Sequence, residues 1–389
     1  MTSVFTVERL DSGLAFSAGH SVPVSDFRIC CVTKPQSTVG QLPDRYFLSQ
    51  ENFMLRSVLG CLTLLLFSSS SPAAEVVNVY SARHYDTDDE IYSIFEKQTG
   101  IQVKLIEGNS DALLARLKRE GKRSPADIFI TVDAGRLFQA ERQGVFQPVS
   151  TSLLMKRVPA NLRHPKGLWF GLTKRARIIL RSKTRVKDGE ITSYEDLAKP
   201  KWKGRVLIRS SSNIYNQSLV GSMIQAHGEK GAETWCRGLV ANMARKPQGG
   251  DRDQIKGVAA GEADVAVANS YYFARMLGGT PEEKAAAAKV AVVFPNQKDR
   301  GTHVNVSGVG VCTHAPNKSN AIKFVEFLTS PIAQKTFAAG NNEYPVVNGV
   351  ETVPVLKSFG KFNEDNVNAA AFGGNNATAV RIMDRAGWR

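Results

Sequence analysis

Short apolar runs alternate with amphipathic helical patterns from residue 76 onward, and this alternation limits the folds open to the chain. Three runs, VVNVYS, IQVKLI and DIFIT, are predicted as strands over 76–81, 101–106 and 127–131. A helical pattern follows each of them, and Gly100 and Gly144 end the first and third helices. Strands that alternate with helices of this length predict a doubly wound α/β lobe with a largely parallel sheet.

Two further extended segments predict a second lobe. Trp169 to Arg181 is interpreted as a crossover from the first lobe to the second, and Asn305 to Cys312 as the crossover back. Two α/β lobes joined by crossing strands place a cleft between them, where ligands of such folds bind. The predicted lobes are discontinuous: lobe 1 is formed by residues 75–172 and 302–350, and lobe 2 by residues 173–301 and 351–389.

The first 74 residues are interpreted as parts that the exported protein lacks. Residues 54–74 have the layout of a secretory signal peptide, with a positive charge, an apolar run over 58–67 that is too short to span a membrane, and small residues at the end. Residues 1–53 are interpreted as an over-extended gene start, with Met54 as the initiator. We therefore expect a periplasmic mature chain without a membrane-spanning segment.

The formal net charge of +14 belongs to the mature chain, because residues 1–74 carry five basic and five acidic residues. The basic residues are spread along the chain without a lysine and arginine block, and no motif combines them with aromatic residues. Nucleic-acid binding is therefore not predicted.

Two cysteines, Cys236 and Cys312, lie in the mature chain. In an oxidising compartment they can pair or stay free, and the sequence leaves both alternatives open. No spacing typical of a zinc site is present.

Four of the nine tyrosines follow the carboxyl ends of predicted strands and precede helices. Tyr271 and Tyr272 come directly after the strand ADVAVA, Tyr85 follows the first strand, and Tyr215 begins the helix after the strand GRVLIR. That edge of an open α/β sheet faces the binding cleft, so we expect the four phenols to meet there. Four other tyrosines are interpreted as structural: Tyr80, Tyr92, Tyr194 and Tyr344.

Several phenols in one place indicate a hard cation of high charge. A phenol has a pKa near 10 and is neutral at pH 7, but a bound multivalent cation holds it as the phenolate. Zinc usually takes Cys and His ligands, whereas calcium and magnesium favour carboxylates and carbonyls. The tyrosines therefore favour ferric iron. His84 has two interpretations, as a further ligand or as a hydrogen-bonding loop residue.

Four phenolates around a trivalent ion leave a net negative site, which needs positive charge nearby. Arg83, Arg175 and Arg275 are the candidates for this role. Arg275 lies one helical turn beyond Tyr271, and Arg175 lies in the predicted crossover that lines the cleft. Each of the three arginines can also be interpreted as an ordinary surface charge.

The residues around these sites resemble a known family. Three stretches carry the resemblance, YSARHYDTD at 80–88, IYNQS at 214–218 and NSYYFARM at 269–276, and two longer ones support it, ADIFITVDAGRL and FVEFLTSPIAQKTFAAGNNEYPV. From residue 76 to about residue 350 the chain is similar to the ferric-iron-binding periplasmic proteins of ABC transporters, particularly the cyanobacterial type.

The resemblance implies an α/β, two-lobed type II periplasmic binding protein fold with a hinge of crossing strands. It implies ferric iron as the transported ligand, without a catalysed reaction, and a monomer that delivers the ion to an ABC permease and its ATPase. In some relatives an exogenous anion such as carbonate completes the coordination, and in others it is absent. The implied ligands are Tyr85, Tyr215, Tyr271 and Tyr272, with His84 as an open fifth.

Two other functions stay open at this point. The same fold with the three arginines and the polar loop Ser210 to Ser212 suits an oxyanion or a small organic acid, although this leaves the clustered tyrosines unexplained. An exported iron-dependent redox enzyme is the second, although the sequence shows no catalytic triad, no 2-His-1-carboxylate set and no cofactor loop.

Overall fold

The computed structural model describes residues 75–83 and 85–389. His84, the predicted signal peptide and the segment before it lie outside the described residues. The described part has nine strands. They are β1 (Val76–Ser81), β2 (Gln102–Glu107), β3 (Ile128–Val132), β4 (Phe170–Ser182), β5 (Val206–Leu207), β6 (Val265–Asn269), β7 (Val290–Val293), β8 (Val304–Val311) and β9 (Tyr344–Pro345).

Thirteen α-helices connect and cover these strands in the same residues. They are α1 (Asp86–Thr99), α2 (Ser110–Glu120), α3 (Ala134–Arg142), α4 (Ser152–Arg157), α5 (Ile214–Ala241), α6 (Asp251–Ala260), α7 (Ser270–Gly278), α8 (Pro281–Ala288), α9 (Lys318–Leu328), α10 (Pro331–Asn341), α11 (Pro354–Lys357), α12 (Ala369–Gly374) and α13 (Asn376–Arg385). None of these helices is both long and apolar enough to cross a membrane.

All nine strands belong to one mixed sheet in the order β2-β1-β3-β8-β4-β6-β5, with β7 and β9 paired to β4 off this path. β1 pairs in parallel with β2 and β3, and β5 pairs in parallel with β6. The pairs that β8 makes with β3 and β4, and that β4 makes with β6 and β7, are antiparallel. The sequence predicts a largely parallel sheet, but parallel pairing is limited to the βαβ units. The strands β4 and β8 pair antiparallel with their neighbours, because they are not connected to them by a helical crossover.

β4 links two groups of elements, which we call the first lobe (β1–β3 and β8 with α1–α3, α9 and α10) and the second lobe (β5–β7 with α5–α8). Residues Phe170 to Ala176 of β4 pair with β8, and Arg177 to Arg181 pair with β6. The predicted crossover at 169–181 is therefore one continuous strand that hydrogen-bonds on both sides of the hinge. The chain returns through residues 294–303 into β8, which pairs with β3 of the first lobe.

α5 is interrupted at Gly228, which divides it into two helical parts. Gly228 has φ 69° and ψ 174°, and helical geometry continues on either side. A positive φ costs glycine little because it has no Cβ, whereas other residues are strained there.

The C-terminal segment packs along α5 of the second lobe. α13 lies against α5, and Trp388 is 1% exposed with its ring 6.4 Å from the Trp235 ring. α12 contacts both α5 and α3 of the first lobe. The segment contains three helices, of which α11 and α12 span only one or two turns and leave little periodicity in the sequence.

Cys236 and Cys312 are both buried and free. The pairing left open by the sequence is therefore not formed, since Cys236 lies in α5 and Cys312 follows β8.

Candidate metal centre

Tyr271 and Tyr272 occupy the first turn of α7, directly after β6. Their ring centroids lie 4.1 Å apart with an interplanar angle of 33°. Tyr271 is 3% exposed and Tyr272 is partly buried. Because the chain changes from strand to helix at this point, two adjacent side chains can face the same cleft, as the sequence predicts.

Tyr215 reaches the same place from α5. The side-chain oxygen of Asn213 accepts a hydrogen bond of 3.1 Å from the backbone N–H of Tyr215, which caps the helix and fixes Tyr215 in its first turn. The hydroxyl of Tyr215 lies 3.4 Å from the hydroxyl of Tyr271. Phenol oxygens from two separate segments are therefore in contact.

Tyr85 contributes from the first lobe, as the residue before α1. The guanidinium of Arg275, carried by α7 of the second lobe, lies 5.1 Å from the centroid of the Tyr85 ring and 5.4 Å from that of Tyr271. The four predicted tyrosines thus come together around one cleft, and Arg275 lies between phenols of the two lobes. Of the predicted site residues, His84 alone lies outside the described part of the chain.

Three of the phenols have a raised pKa. Burial, together with the nearby Glu343 carboxylate, raises the pKa of Tyr85 to about 12. Burial and the neighbouring phenols also raise the pKa values of Tyr271 and Tyr272. These three side chains are therefore neutral at pH 7 in the absence of a bound cation.

Arg83 and Arg175 lie beside the phenols in a buried layer of charge. Their guanidinium groups lie 5.0 Å from the Tyr85 ring centroid and 5.6 Å from the Tyr215 ring centroid, respectively. Neither is a surface residue, since Arg83 is 1% and Arg175 is 2% exposed. Both donate to the hydroxyl of Ser307 on β8, at 2.9 and 2.8 Å.

Two buried carboxylates hold these arginines, and the sequence reasoning missed both. Glu343 bridges them, with oxygens 3.2 Å from Arg83 Nη1 and 3.1 Å from Arg175 Nη1. Asp88, an acidic residue in the first turn of α1, lies 2.8 Å from Arg83 Nε. Burial opposes the charge on the two guanidinium groups, but the carboxylates raise their pKa values overall. The only sequence signal for Glu343 is an isolated acidic residue in the stretch GNNEYPVV.

A further arginine, Arg209, lies at the site without having been predicted. Its guanidinium is 5.9 Å from the Tyr215 ring centroid, and its Nη1 is 3.6 Å from Asp251 Oδ1. Asp251 also binds the buried Arg177 at 2.6 Å. The second lobe therefore brings its own charged pair to the cleft.

The tyrosines interpreted as structural make contacts away from this cleft. The Tyr80 hydroxyl donates to Glu120 at 3.0 Å, and the Tyr194 hydroxyl donates to the backbone carbonyl of Arg177. Tyr92 and Tyr344 are buried in the apolar core. Within the described residues, phenols therefore converge at one place. The same residues contain no group of three or more His, Cys, Asp or Glu side chains that could hold a metal ion.

Three comparisons relate this chain to known proteins. The family model of bacterial extracellular solute-binding proteins matches residues 123–362. Iron uptake protein A1 of Synechocystis is 53% identical over 314 residues, which cover 80% of this chain and 87% of that protein. A structure of Trichodesmium IdiA (FutA) in complex with iron and citrate is 56% identical, with a TM-score of 0.79 over 81% of this chain and 100% of that one. The ferric binding protein from Campylobacter jejuni is 42% identical, with a TM-score of 0.75 over 80% and 100% of the two chains.

Proposed function

Because the chain belongs to the bacterial extracellular solute-binding protein family, we propose that its solute is ferric iron, bound in the cleft between the lobes for uptake into the cell. The observation that carries this proposal is the convergence of four phenols from three segments, with the Tyr215 and Tyr271 oxygens 3.4 Å apart. The relatives named for iron uptake and ferric binding support the same ligand.

The phenolates of Tyr85, Tyr215, Tyr271 and Tyr272 hold the ion in this proposal. Each phenol loses its proton as the ion binds, and the trivalent charge stabilises the phenolates. His84, a water or an anion such as carbonate completes the coordination. Citrate accompanies iron in the Trichodesmium relative, which makes an exogenous anion a specific candidate.

The three predicted arginines have different parts in balancing the charge. Arg83 and Arg175 face Asp88 and Glu343, so these four residues together are close to neutral. Arg275 lies over the Tyr85 and Tyr271 rings, and its guanidinium donates a hydrogen bond of 3.0 Å to the neutral side chain of Asn341. Arg275 therefore compensates the excess negative charge of the loaded site more directly than the other two.

The protein is proposed to work in the periplasm as a monomeric carrier without catalytic activity. Residues 54–74 are proposed to direct export. Closure of the lobes over the ion creates the form that an ABC permease, with its ATPase, accepts. In this proposal lobe 1 is formed by residues 75–172 and 302–350, and lobe 2 by residues 173–301 and 351–389. The packing of α13 on α5 supports the place of α13 in lobe 2.

An oxyanion as the solute is less well supported by the contacts at the site. Arg83 and Arg175, which the oxyanion would need, are already bound to carboxylates. The hydroxyls of Ser210 and Ser212 hydrogen-bond to each other at 2.9 Å in an exposed position.

The test is a spectroscopic titration of the mature protein with ferric citrate. We expect a phenolate-to-iron charge-transfer band that the double variant Tyr271→Phe/Tyr272→Phe lacks and that Tyr80→Phe, a tyrosine outside the cleft, keeps. A colourless protein whose melting temperature rises with sulfate or phosphate but not with iron would contradict the proposal and favour the oxyanion.

A further inference from the structure

Asp133 joins the two lobes beside the tyrosine site, and the metal chemistry above does not use it. It lies between β3 and α3 with φ 83° and ψ 134°, a conformation that residues with a Cβ rarely adopt. Its side chain is fully buried. A strained, buried carboxylate persists only where its surroundings hold it, and such positions concentrate at functional sites.

The contacts of Asp133 extend to both lobes. Its Oδ1 accepts hydrogen bonds from the backbone N–H of Gly135 at 2.8 Å and from the hydroxyl of Ser218 at 2.6 Å. Its Oδ2 accepts from the Asn305 amide at 2.7 Å. Gly135 and Asn305 lie on α3 and β8, whereas Ser218 lies on α5 of the second lobe. One of these three bonds therefore crosses the cleft.

Ser218 is in turn tied to the metal site by its place on α5. It follows Tyr215 by three residues, which puts the two side chains on neighbouring positions of the same helix face. A bond that fixes Ser218 against the first lobe therefore also fixes the first turn of α5, which carries the Tyr215 hydroxyl.

The packing next to Asp133 is close. A Cβ added to Gly135 would lie 3.1 Å from Asn376 Nδ2 and 3.2 Å from Ile214 Cδ1. The start of α3 therefore lies directly on the starts of α5 and α13. This contact, like the hydrogen bond to Ser218, requires the lobes to stand at their present separation.

We propose that Asp133 is a positioning residue whose hydrogen bond to Ser218 locks α5, and with it Tyr215, against the first lobe when the cleft closes over its ligand. The inference rests on the proposed function, since it concerns retention of the bound ion. Opening of the lobes breaks this bond and exposes the carboxylate, so the bond slows release of the ion without contacting it.

The test compares the rate of iron release into excess EDTA, followed by the charge-transfer absorbance, in two alanine variants. Ser218→Ala removes the bond across the cleft and leaves the other two contacts of Asp133 in place. Ser222→Ala is the matched control, because Ser222 lies one turn further along α5, is also 1% exposed and donates to Asp365 at 3.3 Å. We expect Ser218→Ala to release iron about tenfold faster, the size typical of a bond to a charged group, and Ser222→Ala to stay within about twofold of wild type.

A second variant, Asp133→Gly, removes the carboxylate and relieves the backbone strain. It also removes the contacts of Asp133 to Gly135 and Asn305, so it should release iron at least as fast as Ser218→Ala. The double variant should be no faster than Asp133→Gly alone, because Ser218 has then already lost its partner. Equal release rates for Ser218→Ala and Ser222→Ala, or additive effects in the double variant, would overturn the proposal. A purely structural role would lower the urea midpoint of the metal-free variants and leave release from the folded protein unchanged. A wild-type protein that develops no colour with iron refutes the proposed function instead.

Discussion

At the residue scale, the site depends on carboxylates that touch no phenol. Glu343 places its two oxygens against two different guanidinium groups, and all three side chains are almost completely buried. A buried charge that loses its partner is far more costly than a broken surface pair. Glu343 is therefore expected to determine whether Arg83 and Arg175 can stay beside the tyrosines at all.

Replacement of this carboxylate should destabilise the fold. We expect Glu343→Gln to lower the free energy of unfolding by about 3 kcal/mol, because two buried guanidinium groups lose a shared counter-charge. Glu351→Gln is the control, since Glu351 is 83% exposed and pairs with Lys357 on the surface, and it should cost less than about 1 kcal/mol. Urea denaturation of the metal-free proteins measures both, and equal losses would show that Glu343 has no special role.

Iron binding should weaken as the pH falls. The pKa of Tyr85 is raised to about 12, and those of Tyr271 and Tyr272 are also raised, so these phenols are protonated at neutral pH without metal. The ion must displace each proton, and every proton displaced lowers the apparent affinity about tenfold per pH unit of acidification. Competition with citrate at pH 6, 7 and 8, corrected for the protonation of citrate itself, measures this slope. A slope of zero would mean that phenolates are not the ligands.

At the element scale, β4 carries three polar side chains on one face of the strand. Thr173, Arg175 and Arg177 alternate with residues of the opposite face, as the strand period requires. Thr173 accepts from Arg83, while the two arginines bind Glu343 and Asp251. The strand therefore lines the base of the cleft with groups that other elements satisfy.

A second element, the segment that leads into β8, makes stability depend on pH. Burial, with the nearby Arg300, Arg177 and Arg175, lowers the pKa of His303 to about 3. The imidazole packs 4.8 Å from the Phe372 ring, and its Nε2 bonds to no group among the described residues. The unfolded chain takes up the proton near pH 6.5 and the folded chain only near pH 3, so folding becomes less favourable as the pH falls between these values.

The expected loss from this histidine is up to about 1.4 kcal/mol for each pH unit below 6.5. Replacement of His303 by Gln should flatten the dependence of the unfolding free energy on pH between 6.5 and 4.5. His314→Gln, at an exposed position, should leave the profile unchanged. Urea titrations at several pH values provide the comparison, and a profile for His303→Gln that matches wild type would remove His303 as the cause.

The site residues that the sequence could predict are those whose position follows from their neighbours in the chain. Tyr271 and Tyr215 could be placed because each lies at a junction where a strand ends and a helix begins, and that junction is visible in neighbouring residues. Glu343 could not, because its partners are chosen by tertiary contacts. Asp88 could not, because an acidic residue at a helix start already has a local explanation, although its partner Arg83 is only five residues away. Glu343 lies 260 residues from Arg83 in the chain, and nothing near Glu343 in sequence indicates that contact. For the same reason, the sequence allows Arg175 to be interpreted as an ordinary surface charge, although its side chain is buried in the structure.

At the scale of the whole molecule, the proposed site requires the lobes to be close, because only then can all four phenols reach one ion. Tyr85 belongs to the first lobe, whereas Tyr215, Tyr271 and Tyr272 belong to the second. Arg275 adds a further link, because it donates across the cleft to Asn341 at the end of α10. The closed arrangement and the loaded site are therefore expected to stabilise each other.

Addition of ferric citrate should make the protein more compact. In small-angle X-ray scattering we expect a smaller radius of gyration with iron than without, and a return to the larger value after iron is removed by chelation. The variant Tyr271→Phe/Tyr272→Phe should keep the larger value under both conditions. Identical scattering of the wild-type protein with and without iron would contradict closure driven by the ion.

The continuity of β4 has a consequence for how far the lobes can separate. Its 13 residues form one ribbon whose ladder passes from β8 to β6 between Ala176 and Arg177. We expect bending of β4 at this point to be spread over several peptide units, because rotation about a single bond would break hydrogen bonds to the neighbouring strand. We therefore expect the stiffness of this strand to limit how far the lobes open, and changes in the length of the loops at the mouth of the cleft should leave that amplitude unaltered.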